Sequence, residues 1–155
     1  MLKVGDKAPD FKAVASNGRT ITLSEFQAEG KKVILYFYSK DMTSGCTVEA
    51  CDFRQYHPNF EESKAIIIGV SKDPMSSHHK FIEKFELPFM LVSDPELEII
   101  KKFDVLKEKA MYGKKYMGVE RTTFLIDEHG VILKIYPKVK VKGHVAQVLS
   151  DLTSI

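Results

Sequence analysis

The sequence predicts one α/β domain, a central mixed sheet flanked by helices with a small N-terminal β-hairpin ahead of it. Three observations point there. Val33–Tyr38 and Ile66–Val70 are short, continuous apolar runs rich in β-branched and aromatic residues, as expected of strands buried on both faces. A helical pattern, with Val48, Phe53, Tyr56 and Phe60 along Cys46–Phe60, separates them and implies a right-handed parallel crossover. Thr122–Ile126 and Val131–Tyr136 then flank Asp127-Glu128-His129-Gly130, an antiparallel hairpin signal.

In chain order, Asp10–Ala15 and Arg19–Thr22 read as a hairpin around Asn17-Gly18, a pair suited to a type I′ turn. The helix from Cys46 is expected to end near His57-Pro58 or shortly after, because proline interrupts a helix. Ser71 or Asp73 is an N-cap candidate for a helix carrying Phe81, Ile82 and Phe85, with Pro74 in its first turn. Phe89–Val92 reads as a strand and Pro95–Phe103 as a helix behind an Asp94 cap. Gly143–Leu152 closes the chain as a helix. Lys107–Gly118 shows no clear periodicity and is expected to be a surface loop, with Met111, Tyr112, Tyr116 and Met117 a partner or substrate surface in a second reading. This element order describes a thioredoxin-like sheet, and fold by itself says little about function.

Composition narrows the function classes. A chain of 155 residues, 44% hydrophobic, is long enough for one domain with a core. A formal charge of +2 leaves no electrostatic footprint for nucleic acid or a membrane surface. The run Met1-Leu2-Lys3-Val4-Gly5-Asp6 lacks the apolar core of a secretory signal, and no apolar run approaches a membrane span. A cytoplasmic protein is expected.

In that compartment a cysteine pair is more often catalytic, redox-active or metal-binding than structural. Cys46 and Cys51 are the only two cysteines. A Ser/Thr/Gly turn at Thr43-Ser44-Gly45 places Cys46 in the first turn of a helix, where free N–H groups and the helix dipole favour a thiolate. Thr43 brings a hydroxyl to the same pocket. Arg121, next to the Thr122–Ile126 strand, is the cation expected to complete it, since a guanidinium stays charged and directs two donors at once. Such donors hold a peroxide in line and stabilise the departing oxygen. Five helical residues separate Cα atoms by about 8 Å on different faces, beyond disulfide reach of about 7 Å. A bridge between Cys46 and Cys51 therefore requires the helix to unwind locally.

At these residues the sequence resembles the peroxiredoxins, specifically the bacterioferritin comigratory protein or PrxQ type. The likeness covers nearly the whole chain: Gly5-Asp6-Lys7-Ala8-Pro9-Asp10-Phe11, Thr43-Ser44-Gly45-Cys46-Thr47-Val48-Glu49-Ala50-Cys51-Asp52-Phe53-Arg54, Leu87-Pro88-Phe89 with Ser93-Asp94, and Arg121-Thr122-Thr123-Phe124-Leu125-Ile126-Asp127. It implies a peroxidatic Cys46, a resolving Cys51, and activation by Thr43 and Arg121. It further implies an atypical 2-Cys enzyme with no cofactor or metal, a peroxide substrate, thioredoxin or a similar dithiol as reductant, and a monomer or weak homodimer. Ser39 and Ser44 stand where the family pattern commonly has proline. A looser, wetter pocket and a lower rate are the expectation from Ser39.

Other readings fit less well. A thioredoxin-like oxidoreductase needs C-x-x-C where this chain has C-x-x-x-x-C. A metal module of Cys46, Cys51 and His57, or His78-His79, has no recognised ligand spacing. A redox sensor or holdase uses the same thiols without turnover. His78 and His79 are expected to face solvent, Tyr36-Phe37-Tyr38 to be core strand, and Glu49 and Arg54 to be surface charges.

Overall fold

The computed structural model describes residues 2–155. A hairpin of β1 (Lys12–Val14) and β2 (Thr20–Thr22) leads into α1 (Leu23–Ala28). The turn is not the type I′ that Asn-Gly implied. Gly18 alone is left-handed, with φ of 85°, and Ala15 N–H donates to Arg19 O across a three-residue loop. Helix α1 starts at a capping box, with Thr22 Oγ1 accepting from Glu25 N–H and Glu25 Oε1 from Thr22 N–H, both at 3.3 Å.

The central sheet holds β3 (Lys32–Phe37), β4 (Ala65–Ser71), β5 (Met90–Ser93), β8 (Thr122–Ile126) and β9 (Ile132–Tyr136), in the order β5-β4-β3-β8-β9. The β3, β4 and β5 strands are parallel; β8 runs antiparallel to β3, and β9 to β8. The expected mixed sheet is therefore present, with β3, its most apolar strand, at the centre. Alternate residues of β3 face opposite cores. Leu35 and Phe37 join Phe103 and Phe124 beneath the N-terminal hairpin, α1 and α4 (Glu98–Lys102). Ile34 and Tyr36 pack under α2 (Ser44–Glu62), α3 (Met75–Phe85) and α5 (His144–Thr153). Sheets covered on both faces carry such uninterrupted apolar strands.

Helix α2 runs past Pro58 and ends shortly after it, at Glu62, as expected. Phe60, fully buried and 5.9 Å from the Phe53 ring, pins the last turn to the core and outweighs the hydrogen bond that proline removes. Helix α4 starts later than expected, because Leu97 is left-handed with φ of 61°. Asp94 still caps it, accepting from Glu98 N–H at 3.0 Å and Ile100 N–H at 2.8 Å.

The expected surface loop at Lys107–Gly118 is a hairpin of β6 (Leu106–Met111) and β7 (Lys114–Val119). Tyr112 and Gly113 both have positive φ, 53° and 77°, the two-residue turn that suits strand twist. Most of this hairpin is exposed on both faces, so its sequence lacks the alternation that burial imposes; Tyr112 at the tip is 97% exposed. Among the described residues no helix is long and apolar enough to cross a membrane.

Candidate active site

Strand β3 ends at the sheet's centre, and the chain turns through Ser39–Met42 into α2. Thr43 is the N-cap, which makes Cys46 the third helical residue. The amides of Ser44, Gly45 and Cys46 have no intrahelical acceptor, so their partial positive charge surrounds the thiol. Thr43 Oγ1 does not cap the helix but donates to Lys40 O at 2.9 Å.

Cys46 is 1% exposed, and Arg121 Nη2 lies 3.2 Å from its Sγ. Burial alone opposes ionisation. The Thr43 hydroxyl, the Lys40 backbone, and the charge and hydrogen bond of Arg121 together outweigh it, leaving the thiol below its ordinary pKa. Arg121 stands just before β8, its carbonyl accepting from Val139 N–H at 2.9 Å. Three of the four residues singled out from sequence, Thr43, Cys46 and Arg121, thus meet at one point. Cys51 does not join them. It is half-buried and reduced, one and a half turns further along the same unbroken helix.

Glu49 corrects an expectation. It is fully buried, not a surface charge, and its Oε1 accepts from Arg121 Nη1 at 2.7 Å. Desolvation raises its pKa to about 7 despite the guanidinium, with Asp52 adding to the rise. One arginine therefore serves two anionic groups, and each ionisation disfavours the other. Glu49 follows Cys46 by three residues, on the same helical face, which is the signal in the sequence that places it here. Its Oε2 has no hydrogen bond and lies 3.9 Å from His144 Nε2. His144, at the start of α5, faces Thr123 Oγ1 at 2.9 Å; burial and then Arg121 hold its pKa down to about 4, so the ring is neutral near pH 7. Nothing in the sequence marks His144, because only the packing of α5 on α2 brings it here.

His78 is the second correction. It is fully buried rather than solvent-facing, and His79 stays exposed. His78 Nδ1 faces Asp41 Oδ2 at 2.7 Å and Nε2 faces Val92 O at 3.0 Å. Asp41 also accepts from Tyr38 Oη at 2.5 Å and Ser77 Oγ at 2.8 Å, while its N–H donates to Asp73 Oδ2 at 2.8 Å. This network fixes the Ser39–Met42 segment to β4 and α3, and through it the entry to α2. Tyr36, Phe37 and Tyr38 are all core residues, as expected.

Gly45 allows the close approach of Arg121. A Cβ there would lie 3.3 Å from Nη2, so the guanidinium would have to shift by a few tenths of an ångström. Gly45 has ordinary helical backbone, so Gly45→Ala should raise stability by about 0.4–1 kcal/mol. It should also lower the rate with peroxide several-fold. Thermal melting and stopped-flow kinetics on one preparation check the opposite signs.

The chain belongs to the AhpC/TSA family, whose model matches residues 4–135. Within that family it falls in the Bcp/PrxQ group of peroxiredoxins. Peroxiredoxin Bcp of Bacillus subtilis is 52% identical over 97% of this chain and 95% of its own length. A putative peroxiredoxin Bcp of Coxiella burnetii is 47% identical over 97% and 99%. Peroxiredoxin Q of Xanthomonas campestris superposes with a TM-score of 0.88 at 42% identity, covering 93% of this chain and 90% of that one. A second X. campestris structure, of bacterioferritin comigratory protein, is 41% identical with the same TM-score and coverage and was determined for its alkyl peroxide reduction activity. These neighbours share the thioredoxin-like fold.

Proposed function

We propose that this chain is a cytoplasmic thiol peroxidase that reduces hydrogen peroxide and organic hydroperoxides, with Cys46 as the attacking thiol and Cys51 as the resolving one. The observation that carries this is Cys46 Sγ, shielded at a helix N-terminus with Arg121 Nη2 at 3.2 Å. The Cys46 thiolate attacks the terminal oxygen of the hydroperoxide and the O–O bond breaks. Sulfur loses two electrons to become the sulfenic acid, and the departing alkoxide or hydroxide takes up a proton as alcohol or water. Arg121 and the α2 amides stabilise the charge that develops on the leaving oxygen. Thr43 is the hydroxyl that orients the peroxide.

Cys51 then attacks the sulfenic sulfur; an S–S bond forms and water leaves. Thioredoxin or a similar dithiol returns two electrons and two protons by thiol–disulfide exchange. The resolving step needs α2 to unwind around Cys46–Cys51, because five residues of helix hold the sulfurs out of reach. Deep burial of Phe53 and Phe60 predicts that the end of α2 stays folded.

The test is hydroperoxide consumption with thioredoxin, its reductase and NADPH, followed by amide exchange on reduced and oxidised protein. Continuous turnover is expected, with exchange protection lost over the first turns of α2 after oxidation. A protein that reacts once and stops is a sensor rather than an enzyme. Equal protection in both redox states excludes the unwinding step.

A further inference from the structure

We propose that the Ser39 hydroxyl is a catalytic group that donates a hydrogen bond to Cys46 Sγ and helps hold it as the thiolate. Ser39 follows β3, half-buried, and its Oγ lies 3.7 Å from Cys46 Sγ, within reach of a sulfur hydrogen bond. A thiol and a hydroxyl can exchange roles as donor. A thiolate can only accept, so on ionisation the proton of this contact must come from Ser39. Among the described residues that hydroxyl has no other hydrogen-bond partner. The Thr43 hydroxyl, by contrast, already gives its proton to Lys40 O at 2.9 Å. Beside the Thr43 hydroxyl, which also favours the thiolate, the Arg121 guanidinium and the Ser39 hydroxyl converge on the sulfur before peroxide arrives.

The two contribute differently. Arg121 brings a full charge that also acts on the leaving oxygen. Ser39 brings a neutral donor that stabilises electron density on sulfur, so it raises the thiolate fraction while lowering the nucleophilicity of each thiolate. Position 39, which the sequence marks as a weakened shield, is on this account a tuning position.

The inference rests on Cys46 being the attacking thiol, and the experiment separates the two. In a Cys51→Ser background, which leaves one thiol, ultraviolet thiolate absorbance is followed against pH with Ser39, Ser39→Ala and Ser39→Thr. Single-turnover rates with hydrogen peroxide are measured on the same proteins. Ser39→Ala should show roughly tenfold less thiolate at a fixed pH below the midpoint. Above the midpoint it should react roughly threefold faster per thiolate, so that the two pH–rate curves cross. Ser39→Thr, which keeps the hydroxyl, should titrate with the serine protein. An unchanged midpoint in Ser39→Ala, or a threonine protein that titrates like alanine, overturns the proposal. If the serine protein itself consumes no hydrogen peroxide, the assignment of Cys46 has failed and this inference with it.

Discussion

Cys46→Ser is expected to reduce hydroperoxide consumption to the assay background, whereas Cys51→Ser should consume one equivalent and then stall with thioredoxin. The asymmetry follows from geometry. Serine at position 46 keeps the helix N-terminus and Arg121 but replaces a thiol held below its ordinary pKa with an alcohol that does not ionise in this range and cannot be oxidised to a sulfenic acid. Cys51 is outside that cluster, half-buried and without a charged partner among the described contacts. Its loss should leave the first step intact and remove the second. Mass spectrometry of Cys51→Ser after one equivalent of hydrogen peroxide should find sulfenic acid on Cys46, and sulfinic acid with excess peroxide. Residual turnover in Cys46→Ser would overturn the assignment of the attacking thiol.

Arg121→Lys is expected to lower kcat/KM for peroxide by on the order of 10²-fold with the fold retained. A guanidinium spans Glu49 Oε1 at 2.7 Å and Cys46 Sγ at 3.2 Å with two separate nitrogens; an ammonium is a single point and cannot hold both geometries. The same substitution should show in stability against pH. Glu49 titrates at about 7 in the folded chain against 4.5 unfolded. Its contribution to stability is thus full below about 4.5 and is lost as pH rises through about 7. A weaker partner for the buried carboxylate makes that loss steeper, so the melting temperature of Arg121→Lys should fall further below wild type at pH 8 than at pH 5. A uniform drop would mean that Arg121 acts only as a packing residue.

The buried strands β3 and β4, the β8–β9 hairpin and the start of α2 were legible in the sequence because each is dictated locally. Continuous apolar runs, a four-residue turn and a Ser/Thr/Gly turn ahead of Cys46 leave few alternatives. The capping box at Thr22 and Glu25 that starts α1 is equally local, yet the sequence reading passed over it. The β6–β7 hairpin was hidden, since its strands cover no core and Tyr112 fills a turn position that asparagine or glycine usually signals. Helix α2 continues past Pro58 because Phe60 is buried, a tertiary effect that overrides local propensity.

The sequence by itself determined the ingredients of the candidate site: a cysteine after a Thr-Ser-Gly turn, a second thiol five residues on, and an arginine next to a central strand. These are statements about chain order and chemistry, and the parallel crossover of β3, α2 and β4 converts them into proximity with little freedom. Only the tertiary structure decided which further polar groups surround that site. Glu49, His144, Ser39 and the Asp41–His78 pair are polar residues whose roles depend on what packs against them, and a polar side chain on a helix or loop carries no local sign of burial. The balance between desolvation and pairing at Cys46 and Glu49 is set by neighbours as far apart in sequence as residues 40 and 121.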